Sequence, residues 1–413
     1  MNNRTGLIIG IIFIVLITSL LTFSISAVIF LGKGFLEQRY EISFDPETVR
    51  YESIKKFNQA RAVLKENFYE DVDENVLLEG AVAGMAAFLG DPYTVYYNKE
   101  QMQKLLEVPK KTEETYVGIG VTIITDTDGL VTIIEPFVGS PAYEAGIKQG
   151  DKIIGIDGED VTSLKDENAI VQMIRGPENT TVKVTVYRPS EGRSIDFEIT
   201  RKKITIQLNI RSELLDGDIG YIRLISFMDD KIDKEFEEHL QKLLDQKIKG
   251  LIIDLRDNTG GYYHKVINIT DRIIPEGLIV YTEDRNKEVK KEFSDKKELG
   301  LPLAILINEN SASASEILAG AVKDHKKGIL VGEKTFGKGL VQDLISLDDG
   351  SGIKITVSRY FTPSGVCIHG TGIEPDVHVK LDDKYAYTPI SQVPREDDTQ
   401  LKKAIESLRR IIG

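Results

Sequence analysis

The chain is 413 residues long, 41% hydrophobic and 28% charged, with a net charge of −13. That length accommodates two or three domains with their own cores. The acidic balance argues against nucleic acid or anionic lipid as the main ligand, because both select basic surfaces. The single cysteine, Cys367, excludes a disulfide within the chain and suits a bacterial exterior or a reducing compartment. Its thiol reads either as a reactive group or, more simply, as a small apolar filler in a strand.

Residues 5–32 carry no charge and residues 7–31 are almost entirely apolar; a run of about 20 such residues spans a bilayer as a helix. Arg4 and the amino terminus precede the run, which favours an N-terminus inside and a body outside. Ser24-Ile25-Ser26 before Ala27 resembles a cleavage site, yet Val28-Ile29-Phe30-Leu31 carries the apolar run past it. Residues 1–33 are expected to be an uncleaved anchor, with a signal peptide as the alternative.

Residues 34–103 form an N-terminal helical region after a short tether. Pro46 suits a first helical turn, and Tyr51, Ile54, Phe57, Ala60, Val63 and Leu64 recur at helical spacing over residues 49–64. A second helix is expected over 74–89, stopped by Gly90-Asp91-Pro92, and a third over 99–106. From Tyr116 the pattern changes to short strands at 118–123, 130–134, 151–156, 181–188 and 194–200, with turns at Asp128-Gly129 and Asp157-Gly158. Ser140-Pro141 through Gly146 spells a short capped helix, and 164–174 suits another. Residues 104–202 thus read as a small strand-rich module inserted between helical and α/β segments.

Residues 203–385 alternate strands (219–224, 250–255, 303–307, 329–332) with helices (230–244, 264–274, 313–323), which implies an α/β core. The strand at 250–255 is continuously apolar, as a strand covered on both faces should be. Residues 386–413 form a tail with an amphipathic helix at 400–411.

Three segments carry chemistry. In Asn310-Ser311-Ala312-Ser313-Ala314-Ser315-Glu316 a serine stands where a buried strand meets a helix, and the helix N-terminus favours a developing oxyanion there. The same letters, Ser313 to Glu316, also spell a capping box that needs no catalysis. In Gly337-Lys338-Gly339-Leu340-Val341-Gln342, a strand beginning at Gly337 would put Lys338, Leu340 and Gln342 on one face. A lysine is a general base only when neutral, so it must be shielded from water; the alternative is a surface lysine in a glycine loop. Asp254 to Gly261 closes the third segment, where Gly260-Gly261 offers either amide donors or a tight turn. His239 lies in a polar helix, His325 and His378 lie in charged or β contexts, and His264 and His369, near these loops, have no acidic partner at suggestive spacing; a Ser-His-Asp arrangement in three dimensions stays open, and there is neither a metal-ligand cluster nor a phosphate loop.

Together these segments resemble the carboxyl-terminal processing, or tail-specific, proteases, a family of Ser-Lys peptidases with an embedded PDZ domain. The resemblance runs over about residues 46–380 and rests on Ser313-Ala314-Ser315-Glu316, Phe336-Gly337-Lys338-Gly339 and Gly372-Ile373-Glu374-Pro375-Asp376 in the family's order. It implies an α/β protease core with an inserted β-rich PDZ domain, preceded by helices and a transmembrane helix. It further implies Ser313 as nucleophile, Lys338 as base and Gln342 as its partner. The amide of Ala314, with one from Gly260 or Gly261, would form the oxyanion hole. Gly118-Ile119-Gly120-Val121 matches the PDZ carboxylate-binding loop, and Arg175 an arginine that couples the PDZ domain to the active site; a solvated helix-end cation is its plainer reading. Asp257-Asn258-Thr259 departs from the family pattern. The expected protein is an extracytoplasmic, membrane-anchored endopeptidase, homodimeric through residues 49–89, cofactor-free, acting on protein C-terminal tails. The competing expectation is an inactive PDZ scaffold that only binds such tails.

Overall fold

The structure, a computed structural model, describes residues 49–106, 115–126, 128–164, 167–205 and 209–413. The expected anchor over residues 7–31 lies outside these. No helix among the described residues is long and apolar enough to cross a membrane. The chain divides after Leu77 into two compact units.

Within the first unit, helix α1 (Tyr51–Asn67) buries no residue, and its Arg61 and Lys65 both pair with Glu74. Helix α2 (Glu74–Ala87) begins in this unit and continues into the second. It is strongly apolar yet buries only Ala86. Val76, Met85 and the following Phe88 are exposed by 67%, 66% and 93%. Such a helix is short of a partner surface.

The second unit starts with strand β1 (Val95–Tyr97) and helix α3 (Lys99–Leu106). The strand-rich module follows: β2 (Thr115–Gly118), β3 (Val121–Thr125), β4 (Val131–Pro136), α4 (Pro141–Ala145), β5 (Lys152–Ile156), β6 (Glu159–Asp160), α5 (Glu167–Ile174), β7 (Thr181–Arg188), β8 (Arg193–Thr200) and β9 (Lys202–Thr205). Strands β2 and β9 pair at the module's entrance, and the main sheet runs β3-β4-β5-β7-β8 with β6 beside β5. Val182, Val184 and Val186 alternate inward on β7 and meet Ile170 and Ile174 of α5 in one core, the period-2 burial of a half-covered strand. Ser140 caps α4 by accepting from Tyr143 N, and Gly146 ends it with φ 93°.

The α/β region comprises β10 (Ile210–Leu215), β11 (Ile219–Leu224), α6 (Ile232–Asp245), β12 (Gly250–Asp254), α7 (Tyr263–Asp271), β13 (Gly277–Asp284), β14 (Val289–Ser294), β15 (Leu303–Ile307), α8 (Ala314–Asp324), β16 (Gly328–Gly332), β17 (Leu340–Ser346), β18 (Gly352–Phe361), β19 (Val377–His378) and α9 (Thr399–Ile412). The central sheet is β10-β11-β12-β15-β16-β19, parallel from β11 to β19. Leu303, Ile305 and Ile307 face the core made with α6, α7 and α8. Ala304 and Leu306 face a second core with Leu401, Ala404 and Leu408 of α9. Covering on both faces explains the unbroken apolar strands. In a second, antiparallel sheet, β1-β18-β13-β14 with β17 beside β18, only β17 has a counterpart in the sequence expectations, the strand expected from Gly337. Its strand β14, Val-Lys-Lys-Glu-Phe-Ser, is mostly exposed and reads as charged linker.

Parallel pairing puts the carboxyl ends of β12, β15 and β16 side by side. The loops that follow them, residues 255–261, 308–313 and 333–339, therefore emerge at one edge. This is where open α/β sheets hold their sites.

Candidate active site

The three sequence segments singled out for chemistry are these three loops. Ser311 and Ser315 are fully buried and committed to backbone: Ser311 Oγ donates to Leu255 O at 2.8 Å, and Ser315 Oγ to Asn258 O at 2.8 Å. Ser313 differs, being only partly buried and holding φ 55°, ψ −113°. A non-glycine residue in that region costs about 1–3 kcal/mol and persists only when its surroundings impose it.

What imposes it is Glu316, wholly buried on the first turn of α8. Its Oε2 accepts from Ser313 N at 2.8 Å and from Lys338 N at 2.8 Å. Its Oε1 accepts from Thr335 Oγ1 at 2.6 Å and Gly337 N at 2.7 Å. Two backbone nitrogens bonded to one oxygen stand no more than about 5.6 Å apart, so one carboxylate joins the serine loop to the lysine loop. Burial pushes the Glu316 carboxyl above its usual range, against the pull of these four donors. The capping-box letters thus describe a real contact, and it ties together the two segments that look unrelated in sequence.

Lys338 Nζ lies 4.5 Å from the centre of the Tyr93 ring and 3.9 Å from Glu167 Oε1. The first is a cation–π contact and the second a long ion pair. Burial, then the Glu167 charge, pushes the Tyr93 hydroxyl well above its ordinary range. Glu167 opens α5 of the strand-rich module, and its Oε1 also accepts from Thr125 N at 2.7 Å. The expected single face of Lys338, Leu340 and Gln342 does not form. The strand begins only at Leu340, and a register shift between Val341 and Gln342 breaks the alternation. Gln342 Nε2 donates to Thr356 Oγ1 at 3.4 Å.

The glycine loop is fitted against the serine. A Cβ on Gly260 (φ 104°) would lie 2.9 Å from Ser313 Cβ and 3.0 Å from Ala314 N. One on Gly261 (φ 145°) would stand 2.3 Å from the Phe227 carbonyl carbon. Gly260 N is already donated to Asn258 Oδ1 at 2.9 Å. No acceptor for Gly261 N or Ala314 N occurs among the described residues. Beneath the loop, fully buried Arg256 donates to Asp254, Asp398 and Gln400, so the C-terminal segment buttresses the turn.

The module carrying Gly118 to Val121 docks on this edge. Ile124 and Ile134 pack with Ala312 and Phe336, and Gln149 Nε2 reaches Asp257 Oδ1 at 3.4 Å. Ile119 is buried; its carbonyl accepts from Ala142 N, and that of Gly120 from Phe137 N. Arg175 lies 5.2 Å over the Tyr116 ring and lines a cavity of about 480 Å³ with Tyr97, Gln101 and Leu105. It is half-buried instead of solvated. Burial pushes Tyr116 up to about 12. Among the histidines, His239 bonds Ser212, His325 bonds the Leu278 carbonyl and His264 stacks on Tyr262. Sequence reading missed Glu167 and Tyr93, which nothing local to them marks, and gave no role to Arg256 within the Asp254–Gly261 segment.

A PDZ module inserted into an α/β core with strand-to-helix serine and glycine loops defines a class of serine peptidases. Residues 218–379 match peptidase family S41, residues 137–188 a PDZ domain, and residues 33–101 the family described as activating protease CtpB N-terminal domain. The chain is 34% identical to the carboxy-terminal processing protease CtpA of Bacillus subtilis, over 97% of this chain and 84% of that one. It is 37% identical to the carboxyl-terminal-processing protease of Synechocystis over 79% and 76%. The solved photosystem II D1 C-terminal processing protease superposes with TM-score 0.66 at 28% identity, covering 86% of this chain and 90% of that one. The chain belongs to the carboxy-terminal processing proteases of family S41 and is a serine-type peptidase with a PDZ domain.

Proposed function

We propose that this chain is a membrane-anchored, extracytoplasmic endopeptidase that cleaves proteins near their C-termini through Ser313 and Lys338, under control of its PDZ domain. The carrying observation is the shared bond of Ser313 N and Lys338 N to one oxygen of Glu316. Neutral Lys338 takes the Ser313 proton as Oγ attacks the peptide carbonyl, and the amides of Ala314 and Gly261 receive the oxyanion. The amine leaves with that proton, and Lys338 then activates water against the acyl-enzyme. Gln342 would join Lys338 only after a rearrangement of β17, which fits a resting form.

Gating rests on Glu167. Its carboxylate and the Tyr93 ring together engage Lys338 Nζ while the PDZ domain stays docked. A tail bound between β3 and α5, its carboxylate at residues 118–121 as an added-strand ligand, would disturb the Glu167–Thr125 contact and free the lysine. Arg175, beside α5, would report tail binding. The apolar run at residues 7–31 supports the anchor, and exposed Val76, Met85 and Phe88 support a homodimer.

The test is cleavage of a long tail-bearing substrate by wild type, Ser313→Ala and Lys338→Ala. Wild type should cut and both variants should lose at least about 10³-fold in rate. Equal cleavage by all three refutes the mechanism, and tail binding without cleavage by wild type supports the scaffold reading instead.

A further inference from the structure

Helix α5 lies beside β3 and runs in the opposite direction. At its start, Glu167 Oε1 accepts from the backbone of Thr125, the last residue of β3. Just past its end, Arg175 covers the ring of Tyr116 on β2, ahead of the 118–121 loop. The groove between helix and strand therefore has a cation at its loop end and a carboxylate at its far end. Arg175 Nε is buried with no hydrogen-bond partner among the described residues, which suits that end to the carboxylate of a tail.

A tail added to β3 with its carboxylate at the loop runs antiparallel to the strand. With its last residue opposite Val121, the residue four before the last lies opposite Thr125, about 13 Å along the strand. From Arg175 back to Glu167 the helical path covers about 12 Å, so helix and added strand keep pace. Val121 and Ile123 pack with α5 in the PDZ core, whereas Ile124 faces Ala312 and Phe336. A register shift toward β4 between Thr122 and Ile123 leaves this alternation in place. Directly opposed residues share a face of the sheet, so the tail residue opposite Thr125 points to the α5 side, at Glu167.

Asp126 and Asp128, at the same end of the groove, pair with Lys152. Among the described residues, the one ion pair of Glu167 is its 3.9 Å contact with Lys338, and its side chain is 31% exposed. The tail backbone would take the Thr125 N–H that Glu167 now accepts. Resting on PDZ control of the active site, we propose that Glu167 is a specificity-determining residue for the tail. The preferred tails carry a lysine or arginine four residues before the last, and that cation draws the Glu167 carboxylate off Lys338. Recognition of the tail and release of the lysine are then one exchange of partners on a single carboxylate.

The experiment is fluorescence anisotropy on the full chain in detergent, with three labelled peptides identical except for Lys, Ala or Glu at the residue four before the last. The lysine peptide should bind about threefold more tightly than the alanine peptide, and the glutamate peptide more weakly than both. Glu167→Gln should erase this ranking while still binding the alanine peptide. In wild type, saturating lysine peptide should speed cleavage of a separate protein substrate more than saturating alanine peptide does; equal stimulation overturns the release of Lys338. Equal affinities in wild type, or a ranking that persists in Glu167→Gln, overturn the proposal and leave PDZ control standing. Absence of binding by all three peptides overturns PDZ control itself, and the proposal with it.

Discussion

Replacing Glu316 with Gln tests the link between the serine loop and the lysine loop. The carboxylate accepts four hydrogen bonds, two on each oxygen, and an amide can accept on one side only. If its NH2 replaced Oε2, the amides of Ser313 and Lys338 would both lose their acceptor. Placed at Oε1 it orphans Gly337 N alone, because the Thr335 hydroxyl can turn. Each orphaned buried donor costs about 1–3 kcal/mol, so the amide takes the second arrangement and the variant folds with a lowered Tm. Loss of the anion and of the Gly337 bond loosens the lysine loop. A misplacement of about 1 Å at a reacting group costs about 100-fold in rate. Steady-state kinetics should show kcat reduced about 100-fold with KM nearly unchanged, and circular dichroism should show intact secondary structure. A kcat within twofold of wild type would refute the reasoning.

Glu167→Gln removes the charge beside Lys338 while keeping the hydrogen bond to Thr125. With the side chains 16% and 31% exposed, the pair is worth about 1 kcal/mol, so basal cleavage in the absence of an activating tail should rise about fivefold; a fall in basal rate contradicts a restraining role. Burial raises the Asp254 pKa, but the charge and hydrogen bonds of Arg256 more than offset it and hold the carboxyl below its ordinary range. Ionised Asp254 therefore stabilises the fold above the ordinary carboxylate pKa of about 4, and that contribution is lost as pH falls through the lower folded-state value. Asp254→Asn should lose about 3 kcal/mol at pH 7 and show a shallower acid decline in urea unfolding; parallel declines contradict this.

The parallel core was legible because strands such as Leu303–Ile307 are apolar on both faces, and the PDZ module because its turns and caps are local. The antiparallel sheet was not, apart from the strand expected from Gly337, since β14 is mostly exposed and owes its existence to pairing with β13. At the site, Ser313, Lys338 and Gly260 could be singled out as unusual residues at strand ends. Their assembly could not, because Glu316 bonds residues 19 to 22 positions away. The Lys338–Glu167 contact joins two domains, and no spacing rule reaches that far. The single face expected for Lys338 and Gln342 is interrupted by a register shift between Val341 and Gln342 that is invisible in the letters.

The central claim is that Ser313 is the nucleophile and Lys338 its base. Labelling the full chain with a fluorophosphonate probe, followed by peptide mapping in the mass spectrometer, addresses it directly. A single adduct on Ser313, absent in Ser313→Ala and formed far more slowly in Lys338→Ala, is the predicted result. An adduct on Ser311, Ser315 or Cys367, or labelling of Ser313 that is indifferent to Lys338, would contradict it.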